Sequence, residues 1–272
     1  MHTLNIRWLW AVYSMELRKI LSYRADFWIQ FLGSVAAQLG VAYYLWKAIF
    51  DHRDVKQIQE FTFAGMMLYY LVAPLIGKAV QGADMGTISQ EIYEGSLNKY
   101  LVYPVSFFRY KLASQASYTT IFLVQFAVAM VLFNFLIGVP DGFTISVYSI
   151  IGAVVSIGVA AYVYFVTVAS IEMVAFWADN VWSLVVIVRF ATGLLGGAMI
   201  PLSLFPDWAY AVLRFLPFSY FISFPVRTFL GLNSPLVWAQ GMVILIIWAI
   251  LITALASVVW SRGKYHYTGV GI

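Results

Sequence analysis

From Leu112 to Ile171 the only charged side chain is Asp141. A helix that crosses a bilayer needs about 20 consecutive, predominantly apolar residues. The runs on either side of Pro140-Asp141-Gly142 each exceed that length, and the turn triplet separates them. Comparable runs occur at 27–50, 61–80, 181–200 and 236–260, the second of them carrying Pro74, a candidate kink. Charged residues make up 10% of the chain, against about 25% in soluble domains, so this is an integral membrane protein. The expected fold is an all-α membrane protein of six transmembrane helices, one membrane domain over 1–272 with little left for a soluble one. No cysteine is present, which excludes disulfides and thiolate chemistry. No cleavable leader is expected, because the apolar stretch after Arg7 runs directly into Glu16, Arg18 and Lys19.

Residues 3–24 are amphipathic. Arg7, Ser14, Arg18 and Ser22 fall on one helical face, while Leu4, Trp8, Val12, Met15 and Leu21 cover much of the rest. Tryptophans and basic residues together suit an interfacial elbow helix lying among lipid headgroups; the alternative is a simple extension of the first span. Basic residues also orient the spans. Arg7, Arg18, Lys19, Arg24, Lys78, Lys99, Arg109, Lys111, Arg262 and Lys264 fall on the side of the N-terminus. Lys47, Arg53, Lys56, Arg214 and Arg227 fall on the other. That asymmetry predicts that both termini are cytoplasmic. The net charge of +4 carries no nucleic-acid signal.

Two segments resist reading as plain connectors. The polar island 83–104, ADMGTISQEIYEGSLNKYLVYP, sits between the second and third spans on the predicted cytoplasmic side. Ile88, Ile92 and Leu97 recur at roughly helical spacing, with Glu91 and Glu94 between them, and Gly95 and Pro104 punctuate the run. This predicts a short surface helix, a turn, and a second short helix or strand. Either it is an ordinary loop, or it is a docking element with apolar anchors and a charged rim. The second segment, 201–235, holds five of the eight prolines. It is too apolar for an ordinary loop and too broken for one spanning helix, which predicts short re-entrant or surface-lying helices on the external side.

Enzyme chemistry is poorly served. His2, His52 and His266 all fall outside the expected spans, as do the carboxylates, which sit in loops or at span ends. A buried Ser–His dyad, a membrane zinc site or an aspartyl protease needs such groups at depth. Proton-coupled transport also favours an intramembrane acid. The pattern G-x-x-x-x-G-K-S/T is absent, so no nucleotide is expected on a P-loop. One charge does enter a span. Arg189 lies about 15 Å along the fifth at about 1.5 Å per residue, as a structural ion pair or as the lining of a path or subunit seam. Gly193 and Gly197 on the same span, and Gly152, Ser156 and Ala160 on the fourth, have the spacing of close helix packing.

The segment I-S-Q-E-I-Y-E-G-S-L-N-K-Y-L-x-x-P (88–104) resembles the permease subunit of type-2 ABC exporters. So does F-P-D-W…L-P-F-S-Y…F-P…G (205–231), together with the basic N-terminal helix and the six spans. The resemblance covers nearly the whole chain. It implies that 83–104 is a coupling segment on the ATPase subunit, with Ile88, Glu91, Ile92, Glu94 and Leu97 as its contacts. It also implies that 201–235 closes the external side. The expected partners are two ATP-binding subunits, a second permease chain (identical or a similar sister) and membrane lipids. No cofactor is expected on this chain, with ATP and Mg on the partner. The implied setting is a bacterial cytoplasmic membrane, and the implied activity is outward movement of an amphipathic or lipid-like cargo by alternating access. An ion-coupled secondary transporter and a non-transport assembly protein are the alternatives from other classes.

Overall fold

A computed structural model describes residues 6–22, 24–82, 86–103, 106–267 and 269. The ends of the expected elbow (3–5, 23) and of the polar island (83–85, 104) lie outside the described residues. The chain is almost wholly helical: α1 (Ile6–Ser22), α2 (Arg24–Arg53), α3 (Phe63–Gln81), α4 (Thr87–Tyr93), α5 (Phe107–Leu136), α6 (Val147–Glu172), α7 (Trp182–Leu195), α8 (Asp207–Leu213), α9 (Pro217–Phe221), α10 (Ser223–Phe229) and α11 (Pro235–Gly263). A two-residue hairpin, β1 (Gln57–Ile58) with β2 (Phe61–Thr62), joins α2 to α3, with Ile58 opposite Phe61.

Helix α3 is the axis of the packing. Met66, Leu68, Val72, Ala73, Ile76, Ala79 and Val80 are fully enclosed, and α2, α5, α6 and α10 all pack against it. The helix runs unbroken through Pro74. In lipid there is little hydrophobic drive between helices, so close packing and interhelical hydrogen bonds hold them together. Lys78 Nζ donates to Ser34 Oγ at 2.8 Å, and Thr119 Oγ1 to the carbonyl of Ala79 at 2.9 Å. The α6–α11 pair uses the small-residue stripe within one chain. Trp238 Nε1 donates to Ser156 Oγ at 3.0 Å, and a β-carbon on Gly152 would come within 3.4 Å of that indole nitrogen.

Four helices are long and apolar enough to cross a bilayer: Phe63–Gln81, Phe107–Leu136, Pro235–Gly263 and α6 with its 3-10 extension, Val147–Phe176. A fifth crossing is available if Asp207–Leu213 and Pro217–Phe229, bent by 75° at their junction, count as one. By length and composition alone, four to five of the six expected crossings are thus accounted for. Helix α2 has the length, but Asp26, Gln30, Gln38, Lys47 and Asp51 lower its hydropathy. Helix α7 has 14 residues, about 21 Å at the helical rise. It stops because the chain turns at Gly196-Gly197. Ala198 and Met199 donate back to the Gly193 carbonyl at 2.9 and 3.0 Å, and Gly197 adopts φ +90°, a conformation natural to glycine. Tyr69 Oη donates to the Gly197 carbonyl at 2.6 Å, Tyr70 Oη to that of Met199 at 2.7 Å, and the Ser223 N–H to that of Gly196 at 2.8 Å. Gly197 is therefore no part of a helix-packing stripe.

Candidate functional site

The polar island folds as α4, a left-handed turn at Gly95, and a 3-10 turn over Ser96–Leu101. It closes the end of the bundle where α3 and α6 finish and α5 begins. Its attachment rests on four side chains, Glu172, Glu91, Tyr93 and Tyr267, each joining it to a different part of the chain.

Glu172, the last residue of α6, accepts the backbone N–H groups of Gly86 at 2.9 Å, Ile88 at 2.7 Å and Ser89 at 3.2 Å. The first N–H groups of a helix have no partner inside it and favour a negative charge. The buried Glu172 carboxylate satisfies α4 in this way. Glu91, on the next turn, accepts from Lys111 Nζ of α5 at 2.9 Å, from Lys99 Nζ at 2.8 Å and from Tyr100 Oη at 3.0 Å. Burial, reinforced by the adjacent Glu91 carboxylate, pushes the Tyr100 hydroxyl far above the usual phenol range, so it remains a proton donor. Tyr93 Oη donates to the Ala178 carbonyl and accepts the Val181 N–H, both at 3.1 Å, which ties α4 to the connector before α7. Burial raises its pKa too, and the Val181 bond opposes that. Tyr267 Oη accepts the N–H of Leu97 at 3.1 Å and brings in the segment after α11.

Between the segment and the helices lies a polar cavity of about 440 Å³, lined among others by Glu16, Glu91, Tyr110, Lys111 and Glu172. Glu16 comes from α1, which packs along α5 through Tyr13 Oη to Thr120 Oγ1 at 3.1 Å and Ser117 Oγ to the Tyr13 carbonyl at 3.0 Å. The cavity therefore joins the N-terminal helix to the polar segment.

The side chains expected as partner contacts divide. Ile88, Ile92 and Leu97 point inward and are buried in this chain's own core at 4%, 5% and 9% exposure. The connector residues Met173 and Phe176 belong to the same core. As anchors offered outward they are corrected, since helical spacing defines an apolar face but not which surface covers it. Glu91 also turns inward to its lysines. Gln90, Glu94, Asn98, Val102 and Tyr103 are exposed, and of these Gln90, Glu94 and Tyr103 also line the mouth of the polar cavity. Sequence reasoning passed over Glu172. An acid that ends a long apolar run, with no basic residue following nearby, was the available signal.

Arg189 lies half-buried on α7 beside a shallow cavity shared with Gln81, Phe190, Gly193 and Met199. Among the described residues it makes no ion pair. Gly193 is buried under Met199, whose Cε would stand 3.3 Å from an added β-carbon. Gly197 is held beneath Tyr69, as described above.

No curated protein and no solved structure matches the chain. The family model described as ABC-2 family transporter protein matches residues 36–271. That match begins inside α2 and takes in α3 to α11, including the docked polar segment and the bent helices of 207–229. Membrane-capable helices with a hydrogen-bonded polar segment at one end are thus the body of the family match, and the chain belongs to the ABC-2 family of transporter proteins.

Proposed function

We propose that this chain is the membrane-spanning half of an ATP-driven exporter, with the segment 86–103 as the seat of a separate ATP-binding subunit. What chiefly supports this is the way the segment is fastened. Glu172, Glu91 and Tyr93 link it to α6, α5 and the connector before α7. A push on its outer face would pass to three parts of the membrane domain through short polar contacts rather than being lost in a slack loop. The exposed side chains Gln90, Glu94, Asn98, Val102 and Tyr103 form the contact surface in this reading.

The complex pairs two permease chains, identical or similar sisters, with two ATP-binding chains that carry ATP and Mg. Six crossings arise if α2, α7 and the bent pair each contribute to spanning, with α1 lying at the headgroups and both termini cytoplasmic. The bent helices of 207–229 close the external side. ATP binding draws the two ATP-binding chains together, which shifts the bundle and alternates access. The aromatic, nearly uncharged spans suit an amphipathic or lipid-like cargo.

Co-expression with an ATP-binding chain tests the reading. The two are expected to co-purify, to hydrolyse ATP, and to lose transport when the ATP-binding chain is inactivated. Transport that persists on an ion gradient without any ATP-binding chain would replace this reading with a secondary transporter.

A further inference from the structure

A second cavity, of about 190 Å³ and mixed polar and apolar lining, lies at the opposite end of the bundle, between α8–α10 and the first turns of α11. Two arginines line it, Arg214 and Arg227, and no aspartate or glutamate is among its lining residues. Arg227 is held from behind by Glu60, at the tip of the β1–β2 hairpin, with its Nη1 2.5 Å from Oε1. One such bond leaves other donors of the guanidinium fork for the cavity. Arg214 has no acidic partner among the described residues. Its guanidinium carbon lies 4.8 Å from the centre of the Phe215 ring, within cation–π range. Gln240, on α11, adds an amide. The backbone below is already satisfied. Tyr220 Oη donates to the Arg214 carbonyl at 2.7 Å and Ser219 Oγ to that of Leu213 at 2.9 Å, which fixes the backbone that carries Arg214.

The surroundings set the depth. Trp208, Tyr210 and Phe215 are exposed on and beside α8. Tryptophan and tyrosine concentrate at the membrane–water boundary. Gln240 comes five residues after Pro235, about 8 Å along α11. A polar side chain there would be costly against lipid tails alone, but not beside a headgroup. Val237 and Ile244 complete the wall on α11, and Leu236, Val243 and Ile247 are exposed along the same helix. Charge at the headgroup level thus continues into an apolar surface of acyl-chain character.

We propose that this cavity binds the phosphate headgroup of an anionic membrane amphiphile, with Arg214 and Arg227 as its cationic donors, Gln240 as a further hydrogen-bonding group, and the acyl chains lying against α11. Arginine forks match phosphate oxygens in pairs, which lysine does not reproduce. The site stands whether or not an ATP-binding chain drives the protein.

The test uses the full chain in nanodiscs of mixed phosphatidylglycerol and phosphatidylcholine. After mild extraction, native mass spectrometry counts the lipids retained. The wild type is expected to keep phosphatidylglycerol in preference. Arg214→Gln should weaken that retention about tenfold, the scale of one charge-assisted hydrogen bond, and Gln240→Ala should weaken it less. Arg53→Gln, a basic residue at the end of α2 outside the cavity, should change nothing. Thermal melting of each variant separates lost binding from lost fold, and if Arg214→Gln does not fold, Gln240→Ala decides alone. Added glycerol phosphate distinguishes the source of the phosphate: it should compete poorly, because it lacks the chains. Wild-type retention of phosphatidylglycerol by both cavity variants would overturn the site. Displacement of the lipid by glycerol phosphate on equal terms would overturn the membrane source.

Discussion

The N–H of Ile88 meets the carboxylate of Glu172 at 2.7 Å, and through that bond the start of α4 is fastened to the end of α6. Gly86 and Ser89 donate to the same carboxylate. Glu172→Ala would leave these N–H groups without an acceptor, and one unsatisfied buried donor costs about 1–3 kcal/mol. The variant is expected to lose about 3 kcal/mol of stability and its transport. Glu172→Gln keeps one carbonyl acceptor without the charge and should lose about 1 kcal/mol. Thermal unfolding in detergent measures both. Wild-type melting of Glu172→Ala would mean that α4 holds its place by packing alone.

The inward direction of Ile92 changes what substitutions in this segment should do. Ile92→Asp places a carboxylate in an apolar core without a partner, one of the short list of changes that destabilise severely. It should damage the segment even in the permease alone, by about 3 kcal/mol or more. Val102 is 81% exposed, so Val102→Asp should leave the melting temperature unchanged and weaken co-purification with the ATP-binding subunit. Glu94→Lys reverses an exposed charge that accepts from Gln90 Nε2 at 2.7 Å, and should act mainly on association rate. If Val102→Asp and Glu94→Lys both leave binding untouched, the outer face is not the docking surface.

Hydropathy alone locates α3, α5, α6 and α11, because uninterrupted apolar length is a property of sequence. It over-extends α7, since a composition window does not register that Gly196-Gly197 can fold back onto Tyr69 and Ser223. The turn is set by groups more than a hundred residues away in the case of Tyr69. The polar island reads as a helix, a turn and a second short helix or strand, and it folds as α4, a turn at Gly95 and a 3-10 turn, for local reasons: periodicity before Gly95 and a glycine able to adopt φ +68°. Its orientation is invisible locally, because it depends on the core around Met173 and Phe176 that receives Ile88 and Ile92. Glu172 stands out by its place at the end of a long apolar run, but its partners do not, as they are backbone N–H groups that carry no side-chain signature.

Sidedness is open to a direct measurement, since the chain has no cysteine of its own. Gln90 and Ser234 are both exposed, at opposite ends of the bundle. Ser89 would be a poor probe because it is 4% exposed, and Asn233 because its amide donates to Thr228 Oγ1 at 2.9 Å. Single cysteines at Gln90 and Ser234 are expected to react with an impermeant maleimide from opposite sides, Gln90 only when the cytoplasmic face is accessible. Labelling of both from one side would rule out the proposed arrangement of crossings.

Arg189 separates two roles that the sequence leaves equal. A buried ion pair broken by removing one partner costs about 3–5 kcal/mol. No carboxylate pairs with Arg189 among the described residues, and the nearby charge is the cation Lys78 on α3. Two neighbouring cations do not stabilise one another. Arg189→Ala should therefore cost less than about 1 kcal/mol, the scale of a weakly engaged surface charge. If the residue lines a path or a seam between permease chains, its planar fork matters more than its charge. Arg189→Lys should then reduce transport while melting and assembly stay as in the wild type. A loss of 3–5 kcal/mol in Arg189→Ala would show instead that the arginine is paired in the assembled complex, with an acid supplied by the second permease chain. Normal transport in both variants would remove Arg189 from the mechanism and leave the cavity beside Gly193 without a role.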